Sequence, residues 1–338
     1  MTKIIFFDVQ DYEKEFLEKN FQGKYDIVLV EEPVCDVRTI TPEMKDAEII
    51  SCFTSSCATN EILSQFPSLQ LIALRSVGFN HVDLDYCNEH KILVVNAPNY
   101  GNKTVAEFAF GLLLNVSRHI TRAYNELRQD FVEHQNTVGM ELFGKTIGII
   151  GLGAIGSEMA RISYGVGMNV LGYDIKENPE LIEKYHVKYT NLDELLTHSD
   201  IISLHAPLTK DNYHLINAES FSKMKNSAIL INTARGRLVD TQALYNALIT
   251  KQIAGAGLDV LECEEAISNP DYLLDLNHYL PQDCLKNTVL NNRLMNLQNV
   301  IITPHIAYDT KEAIKRILDI TIQNIDAFLD GNPQNQVN

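Results

Sequence analysis

The 338-residue sequence has no tryptophan and far fewer basic than acidic residues, with 28 Lys and Arg against 44 Asp and Glu. The formal net charge of −16 repels phosphate backbones and anionic lipids, which argues against nucleic-acid and membrane-surface partners. No apolar run reaches the ~20 residues that span a bilayer. The start, "MTKIIFFDVQ", predicts a first strand rather than a signal peptide. We therefore expect a soluble cytoplasmic protein.

The cysteines show no paired spacing of the kind that metal sites use, so no metal site is expected. There are six of them: Cys35, Cys52, Cys57, Cys87, Cys263 and Cys284. In a protein of this size without an export signal, the simplest expectation is free thiols in a reducing cytosol.

What the sequence does have is a series of short apolar runs separated by amphipathic stretches. Five lie in the first third, at residues 3–9, 25–31, 47–53, 69–76 and 92–98, and six more follow from residue 146 to "VIITPH". Continuous apolar strands that alternate with helical stretches are typical of parallel sheets covered on both faces. The sequence thus predicts an α/β fold with two doubly wound parallel-sheet domains.

Two helical segments mark the crossovers between these domains. After the turn residues of "NAPNYG", apolar residues recur at helical spacing, which predicts a long helix from about Asn102. The same periodicity returns after His305. Residues 120–145 are polar and lack a strand, so a surface arm or dimer contact is expected there. The polar tail "GNPQNQVN" is expected to fray.

The stretch "GKTIGIIGLGAIGSEMARISYGVGMNVLGYD" has the order strand, glycine turn, helix, strand and acid. Gly151 permits the tight turn, Gly153 lets the backbone approach a pyrophosphate, and Gly156 lets helix and strand pack closely. The helix N-terminus offers N–H groups to phosphates. Asp174 follows Gly151 by 23 residues, at the right distance to accept from a ribose 2′-hydroxyl and to repel a 2′-phosphate. Such a glycine motif alone is often only a packing turn, but this context predicts NAD rather than NADP as the cofactor.

The ordered set "GLGAIG", "LHAPLT", "INTARGRLVD", "GLDVLECEE" and "TPH" resembles the D-isomer-specific 2-hydroxyacid dehydrogenases, from about residue 45 to residue 330. The resemblance implies a flavodoxin-like substrate domain made of residues 1–101 and 306–338. An NAD-binding Rossmann domain, residues 102–305, is inserted between the two parts. It also implies a small 2-keto or 2-hydroxy acid as substrate and a homodimer that pairs through the NAD-binding domain.

The resemblance implies three catalytic residues. Arg235 of "NTARG" corresponds to the substrate-binding arginine, Glu264 of "DVLECE" to the acid that partners the histidine, and His305 of "TPH" to the acid/base. The chemistry agrees, because an arginine fork suits a carboxylate and a carboxylate near a histidine favours its protonated form. Alternative readings are a structural histidine and a surface arginine, and only the motif ranks Arg235 above Arg237.

Two departures from the family pattern leave the choice of acid open. Leu261 stands where the family usually has an aromatic residue, and Glu265 where many members have proline. Glu262, Glu264 and Glu265 therefore remain candidates, with Glu264 the best match. His205 of "LHAPLT" is interpreted as structural or near the dinucleotide rather than catalytic.

The family's remaining contacts fall on further residues of this sequence. The cofactor contacts are Ala154, Ile155, Asp174, Ala206, Pro207, Asn212, Thr233, Ala234 and Asp259, the last facing the nicotinamide carboxamide. The backbone of Val77 and Gly78 would hold the substrate carboxylate, and Tyr100 aligns with a tyrosine that assists in the lactate branch. Phe53 and Tyr308 would shape the pocket. An ordinary glycine turn and a packed hinge tyrosine are the alternatives for Gly78 and Tyr100.

Three features favour the D-lactate branch of the family. Tyr308 follows the histidine as "HIAY", and the segment between Glu264 and His305 is long. The sequence stops at residue 338, so no C-terminal regulatory domain is expected. Bulkier 2-keto acids such as 2-ketoisocaproate or phenylpyruvate, and hydroxypyruvate or glyoxylate, stay open as substrates. Some relatives are NADH-sensing corepressors that keep the Arg–Glu–His set, so a binding role is a remote alternative.

Overall fold

A computed structural model of the chain describes residues 1–21, 23–128, 137–264 and 282–338. The chain folds into two units: unit 1 is Met1–Tyr100 with Thr310–Asn338, and unit 2 is Gly101–Asp309. Each unit contains a sheet whose strands pair in parallel, flanked by helices, which confirms the predicted fold class.

Unit 1 is built on a five-stranded sheet in the order β2-β1-β3-β4-β5, the flavodoxin-like order. Its strands are β1 (Lys3–Phe6), β2 (Asp26–Leu29), β3 (Ile49–Cys52), β4 (Leu71–Leu74) and β5 (Leu93–Val95). Its helices are α1 (Asp11–Phe21), α2 (Asn60–Leu63), α3 (Leu84–His90) and the C-terminal α12 (Lys311–Leu329), with 3-10 turns at Val37–Thr39 and Pro42–Met44. Every residue of β3 and β4 is buried, as continuous apolar runs require.

The return of the chain to unit 1 is fixed by one face of α12. Leu318 and Ile325 pack in the same apolar cluster as Ile4 and Phe6 of β1. Full burial of each such side chain stabilises the fold by about 1.5–3 kcal/mol. This packing explains why residues far apart in the sequence form one unit.

The polar tail is paired with the sheet, so the expectation that it frays was wrong. The Val337 N–H donates to the Val94 carbonyl at 3.0 Å, and the Asn338 side-chain oxygen accepts from the Val94 N–H at 2.8 Å. Gln336 also forms an antiparallel bridge with Val95. β5 is an edge strand whose exposed backbone groups provide these partners.

Unit 2 contains a seven-stranded sheet in the order β12-β11-β10-β9-β6-β7-β8, which is the Rossmann order extended by one strand. The strands are β6 (Thr146–Ile150), β7 (Asn169–Tyr173), β8 (Lys188–Tyr189), β9 (Ile201–Leu204), β10 (Ile229–Asn232), β11 (Gly255–Leu258) and β12 (Val300–Ile302). The helices are α4 (Asn102–Arg118), α5 (Ile120–Arg128), α6 (Ala154–Gly165), α7 (Pro179–Tyr185), α8 (Leu192–His198), α9 (Ala218–Lys223), α10 (Thr241–Ile249) and α11 (Gln282–Met295), with 3-10 turns at Lys210–Asn212 and Gly236–Leu238.

The helices at the start of unit 2 differ in burial. α4 begins at Asn102, as the sequence predicts, and buries Leu112 and Leu113. α5 covers part of the predicted surface arm and exposes Tyr124 and Leu127, while residues 129–136 lie outside the described residues. No helix in the described part of the chain is both long and apolar enough to cross a bilayer.

Four of the six cysteines form disulfides, so the expectation of six free thiols was wrong. Cys35 bonds to Cys57, and Cys263 bonds to Cys284. Cys52 and Cys87 are free and buried. The partners are 22 and 21 residues apart in sequence and become neighbours only in the folded chain. Sequence spacing therefore gave no sign of the pairing.

Thiol titration checks this pairing. Chain purified without reductant and then unfolded is expected to expose two thiols, from Cys52 and Cys87, and reduction is expected to expose the other four. In the folded chain both thiols should react slowly, because burial raises the pKa of Cys52 to about 12 and that of Cys87 to about 11. The variant Cys52→Ser, as control, should expose one thiol. Six reactive thiols before reduction would contradict the pairing.

Candidate active site

The candidate site lies at one edge of the unit 2 sheet. Because all seven strands are parallel, their carboxyl ends share this edge, where ligands bind in such folds. The predicted residues follow the strands in turn: Gly151 after β6, Asp174 after β7, Ala206 after β9, Thr233 after β10, Asp259 after β11 and His305 after β12.

The glycine turn is tightly built at two of its three glycines. Gly151 has φ +87°, and a Cβ there would lie 2.6 Å from the Ala206 nitrogen. A Cβ on Gly156 would lie 1.9 Å from the Gly151 carbonyl oxygen. Around Gly153, apart from its two chain neighbours, no atom of the described residues lies within 4 Å of the Cβ position. Packing thus requires Gly151 and Gly156, and the space at Gly153 fits the approach of a pyrophosphate.

The start of α6 leaves the end of the helix available to an anion. α6 begins at Ala154, and its N-cap Gly153 has no side chain to bind the first-turn N–H groups. The N–H groups of Ala154 and Ile155 therefore lie at the positive end of the helix dipole. A phosphate group fits this position.

Asp174 is held beside the glycine turn by two backbone groups. Its Oδ2 accepts from the Leu152 N–H at 2.5 Å and its Oδ1 from the Lys176 N–H at 3.2 Å. Asp174 is only half-buried, so its carboxylate remains accessible beside the turn. Its contact with a ribose hydroxyl stays a prediction.

The other predicted cofactor residues line the loops after β9 and β10. Asn212 donates to the Pro207 carbonyl at 2.7 Å and accepts from the Thr209 N–H, so its side chain shapes the first loop. Within the described residues, the buried Thr233 hydroxyl has no hydrogen-bond partner. Buried polar groups are rarely left unpaired, and a bound dinucleotide could satisfy this hydroxyl. Together with the open turn at Gly153, these residues fit NAD.

Arg235 is positioned by a residue that sequence reasoning missed. Asn232, the last residue of β10, donates to the Arg235 carbonyl at 2.9 Å and accepts from the Ala234 N–H at 3.0 Å. The Arg235 guanidinium donates to the Ala234 carbonyl at 2.7 Å and is half-buried, whereas Arg237 is exposed. The sequence did contain a signal for Asn232, because it is a polar residue at the end of a buried apolar strand.

His305 and Glu264 contact each other directly. His305 Nδ1 lies 2.8 Å from Glu264 Oε1, and Glu264 Oε2 accepts from the Leu261 N–H at 3.1 Å. The two side chains are 43% and 30% exposed. Among the three candidate glutamates, Glu262 instead points to His214, and Glu265 lies outside the described residues.

The turn that carries His305 is wrapped around the carboxylate of Asp259. Asp259 accepts from the Ile306 N–H at 3.0 Å, the Ala307 N–H at 2.8 Å and the Thr303 hydroxyl at 2.6 Å. The His305 N–H donates to the Asp259 carbonyl, and His305 has φ +56°. A left-handed non-glycine residue costs about 1–3 kcal/mol, so these contacts hold a strained histidine in place. The predicted carboxamide contact of Asp259 stays a prediction, and the part played by Thr303 was missed.

The electrostatic surroundings raise the pKa of His305. Partial burial lowers that pKa, but the hydrogen bond and charge of Glu264, together with the charge of Asp259, outweigh this effect. The positive charge of Arg235 acts in the opposite direction and lowers this pKa. His305 thus keeps its proton to higher pH than a histidine in water, as a proton donor requires.

His205 has the opposite environment. Burial lowers its pKa to about 4, and its Nε2 lies 2.9 Å from the Ser203 hydroxyl. The ring is therefore neutral at neutral pH, in agreement with the structural interpretation.

The other predicted substrate residues lie mostly in unit 1. The loop with Val77 and Gly78 follows β4 and is fixed at the Val77 carbonyl by the Asn96 amide at 2.8 Å and at the Gly78 carbonyl by the Ser76 hydroxyl at 2.6 Å. Phe53 follows β3 and is half-buried. Their substrate contacts stay predictions.

The two predicted tyrosines differ in exposure. Tyr100 is 9% exposed, and its carbonyl accepts from Arg316 Nε at 2.6 Å, which fits a packed hinge residue as well as a substrate contact. Tyr308, in unit 2, is half-buried two residues after the Asp259-bound Ile306.

Comparisons with known proteins identify the family of this chain. The family model "D-isomer specific 2-hydroxyacid dehydrogenase, NAD binding domain" matches residues 110–307. The D-lactate dehydrogenase of Escherichia coli is 34% identical over 97% of both chains, and an aromatic 2-oxoacid reductase of Clostridium sporogenes is 36% identical over 94% of both. The structure of D-lactate dehydrogenase from Aquifex aeolicus complexed with NAD and lactic acid matches with a TM-score of 0.85 and 38% identity, covering 97% of this chain and 96% of that one. The chain belongs to the D-isomer-specific 2-hydroxyacid dehydrogenases, NAD-dependent oxidoreductases that act on CH–OH groups.

Proposed function

We propose that this dehydrogenase reduces pyruvate to D-lactate with NADH. The observation that carries the reaction is the 2.8 Å contact between His305 Nδ1 and Glu264, which leaves Nε2 of a protonated imidazole available to a substrate. The cofactor, when bound at the glycine turn, supplies the hydride for the carbonyl carbon.

The protein residues then have separate tasks. The guanidinium of Arg235 binds the substrate carboxylate and orients the carbonyl oxygen, because its planar fork donates two parallel hydrogen bonds. His305 donates its Nε2 proton to the carbonyl oxygen as that oxygen gains negative charge. Glu264 stabilises the imidazolium beforehand and orients the ring. In the oxidation of D-lactate, the same histidine takes up the proton.

The choice of pyruvate rests on Tyr308 and on the relatives. An aromatic residue three positions after the histidine would close the pocket around a methyl group. Two of the similar proteins are D-lactate dehydrogenases, and one of their structures contains lactic acid. The similarity to an aromatic 2-oxoacid reductase supports phenylpyruvate as the second candidate.

Steady-state NADH oxidation tests this choice. The substrates are pyruvate, hydroxypyruvate, glyoxylate, 2-ketoisocaproate and phenylpyruvate, and pyruvate is expected to have the highest kcat/KM. If phenylpyruvate or 2-ketoisocaproate exceeds pyruvate, the lactate assignment is wrong. If NADH binds but no keto acid is reduced, the corepressor-like alternative gains support.

The proposal includes a homodimer that pairs through unit 2. The exposed apolar side chains Ile120, Tyr124 and Leu127 of α5, which are 54%, 58% and 64% exposed, support an interface there. Light scattering is expected to give twice the chain mass of 38.1 kDa. A monomer would contradict this part of the proposal.

Asp174→Asn is expected to change the choice of cofactor. The substitution keeps an oxygen for the Leu152 N–H but removes the charge that repels a 2′-phosphate. We expect the ratio of kcat/KM for NADH to that for NADPH to fall about 10-fold or more, the effect of one charged hydrogen bond. The exposed Glu177→Gln serves as control and should leave the ratio unchanged. An unchanged ratio in Asp174→Asn would remove Asp174 from the cofactor site.

A further inference from the structure

A buried carboxylate that the proposed reaction does not use lies two residues before Glu264. The Glu262 side chain is 4% exposed. Its Oε1 accepts from His214 Nε2 at 2.8 Å, and its Oε2 accepts from both the N–H and the hydroxyl of Thr241, at 3.1 and 2.7 Å. A buried carboxylate with three partners is a strong local constraint, because losing any partner leaves polar groups unsatisfied.

The partners of Glu262 flank the turn that carries Arg235. The His214 N–H donates to the Arg237 carbonyl at 2.9 Å. Thr241 begins α10, directly after that turn. A Cβ on Gly236 would lie 2.1 Å from the Leu261 carbonyl carbon. The backbone of the turn that carries Arg235 therefore packs directly against the backbone at Leu261, the residue before Glu262.

On its other side, the same residue is tied to the segment that carries Glu264. The Glu262 carbonyl accepts from the Asn291 amide of α11 at 2.9 Å. The Leu261 N–H donates to Glu264 Oε2, so the backbone on both sides of Glu262 is fixed. Two segments that bear proposed catalytic groups therefore meet at one buried side chain.

We propose that Glu262 is a positioning residue that fixes the Arg235 turn and the Glu264 segment relative to each other. It contacts neither substrate nor cofactor, and it acts only through Arg235 and Glu264. This inference rests on the proposed function, because it assigns Glu262 to the same reaction. It also gives the neighbouring glutamates distinct tasks: Glu264 stabilises the imidazolium, and Glu262 holds Glu264 where it can do so.

The test is a double-mutant cycle in kcat/KM for pyruvate, with all variants kept oxidised so that the Cys263–Cys284 bond is constant. In the wild-type background, Glu262→Ala is expected to lower kcat/KM about 30-fold. In the Glu264→Gln background, the same substitution is expected to lower kcat/KM at most about 3-fold further, since the effects of coupled residues are not additive. The affinity of Glu262→Ala for NADH should stay within about twofold of the wild-type value, since Glu262 does not lie at the glycine turn. With deuterated NADH, the primary isotope effect on kcat should rise, because the chemical step has become slower.

Conservative variants separate positioning from folding. Glu262→Gln should recover most of the activity, because its oxygen can accept from Thr241 while its amide donates to His214 in the other tautomer. If Glu262→Ala does not fold, the cycle is repeated with Thr241→Val. This variant removes the hydroxyl that donates to Glu262 but keeps the backbone N–H donor. The exposed Glu219→Gln is the control and should have wild-type kinetics.

The positioning role would be overturned if Glu262→Ala lowered kcat/KM by the same factor in both backgrounds, or if Glu262→Ala kept full activity. If the wild-type chain reduced none of the keto acids, the proposed function would be overturned instead, because there would be no activity to compare between the variants.

Discussion

His305→Gln is expected to lose keto-acid reduction by about 10²- to 10⁴-fold, the contribution that a positioned general acid makes. Glutamine can still donate a hydrogen bond to the carbonyl oxygen, but it cannot transfer a proton at neutral pH. His305 also lies in a turn that the Asp259 carboxylate holds, so the backbone of the site should persist in the variant. The measurement is kcat/KM for pyruvate, with NADH affinity determined in parallel by fluorescence.

The expected pattern is loss of turnover with unchanged NADH affinity. His198→Gln is the matched control, because His198 ends α8 in an exposed position and should leave both quantities unchanged. If His305→Gln turned over near the wild-type rate, another group would have to be the proton donor. His205 is a poor substitute, since burial lowers its pKa to about 4.

Arg235→Lys is expected to lower kcat/KM for pyruvate by about 10- to 10²-fold, which corresponds to the loss of one charge-assisted hydrogen bond of about 1.5–3 kcal/mol. Lysine keeps the charge but has no planar fork, so it cannot hold the carboxylate and carbonyl oxygen together. Both KM and kcat should suffer, because the arginine binds the substrate and orients the reacting carbonyl.

The chain offers a matched control two residues away. Arg237 is exposed, and Arg237→Lys should leave kcat/KM within about twofold, as surface substitutions usually do. Equal effects of the two substitutions would mean that the motif misidentified the arginine. A loss in Arg237→Lys alone would assign Arg237 to the substrate.

The strands could be predicted because parallel sheets bury both faces, so each strand appears as a continuous apolar run. β8 was missed because it has only two residues, Lys188 and Tyr189, with no apolar run to mark it. The paired tail and the two disulfides were missed for a different reason. Each joins segments that become neighbours only after folding, as Val337 and Val94 do.

The same distinction holds for the site. Sequence motifs pointed to Arg235, Glu264 and His305, and the structure places all three in unit 2, with Glu264 on His305. The contacts that hold the His305 turn come from another segment, because the Asp259 carboxylate accepts from the Ile306 and Ala307 N–H groups. Such contacts leave no spacing in the sequence. The motif ranks Glu264 first among the glutamates, and the 2.8 Å contact with His305 separates it from Glu262, which points to His214.

The pH dependence of kcat/KM tests the central claim, that His305 is the proton donor and that Glu264 keeps it protonated. Reduction needs the protonated imidazole, so kcat/KM for pyruvate should be constant at low pH and fall as the pH passes the raised pKa of His305. In Glu264→Gln the largest influence that raises this pKa is lost, while Asp259 still raises it and Arg235 still lowers it. The midpoint of the fall should then move to lower pH, below that of the wild type and of the Glu219→Gln control. An identical midpoint in wild type and Glu264→Gln would contradict the account.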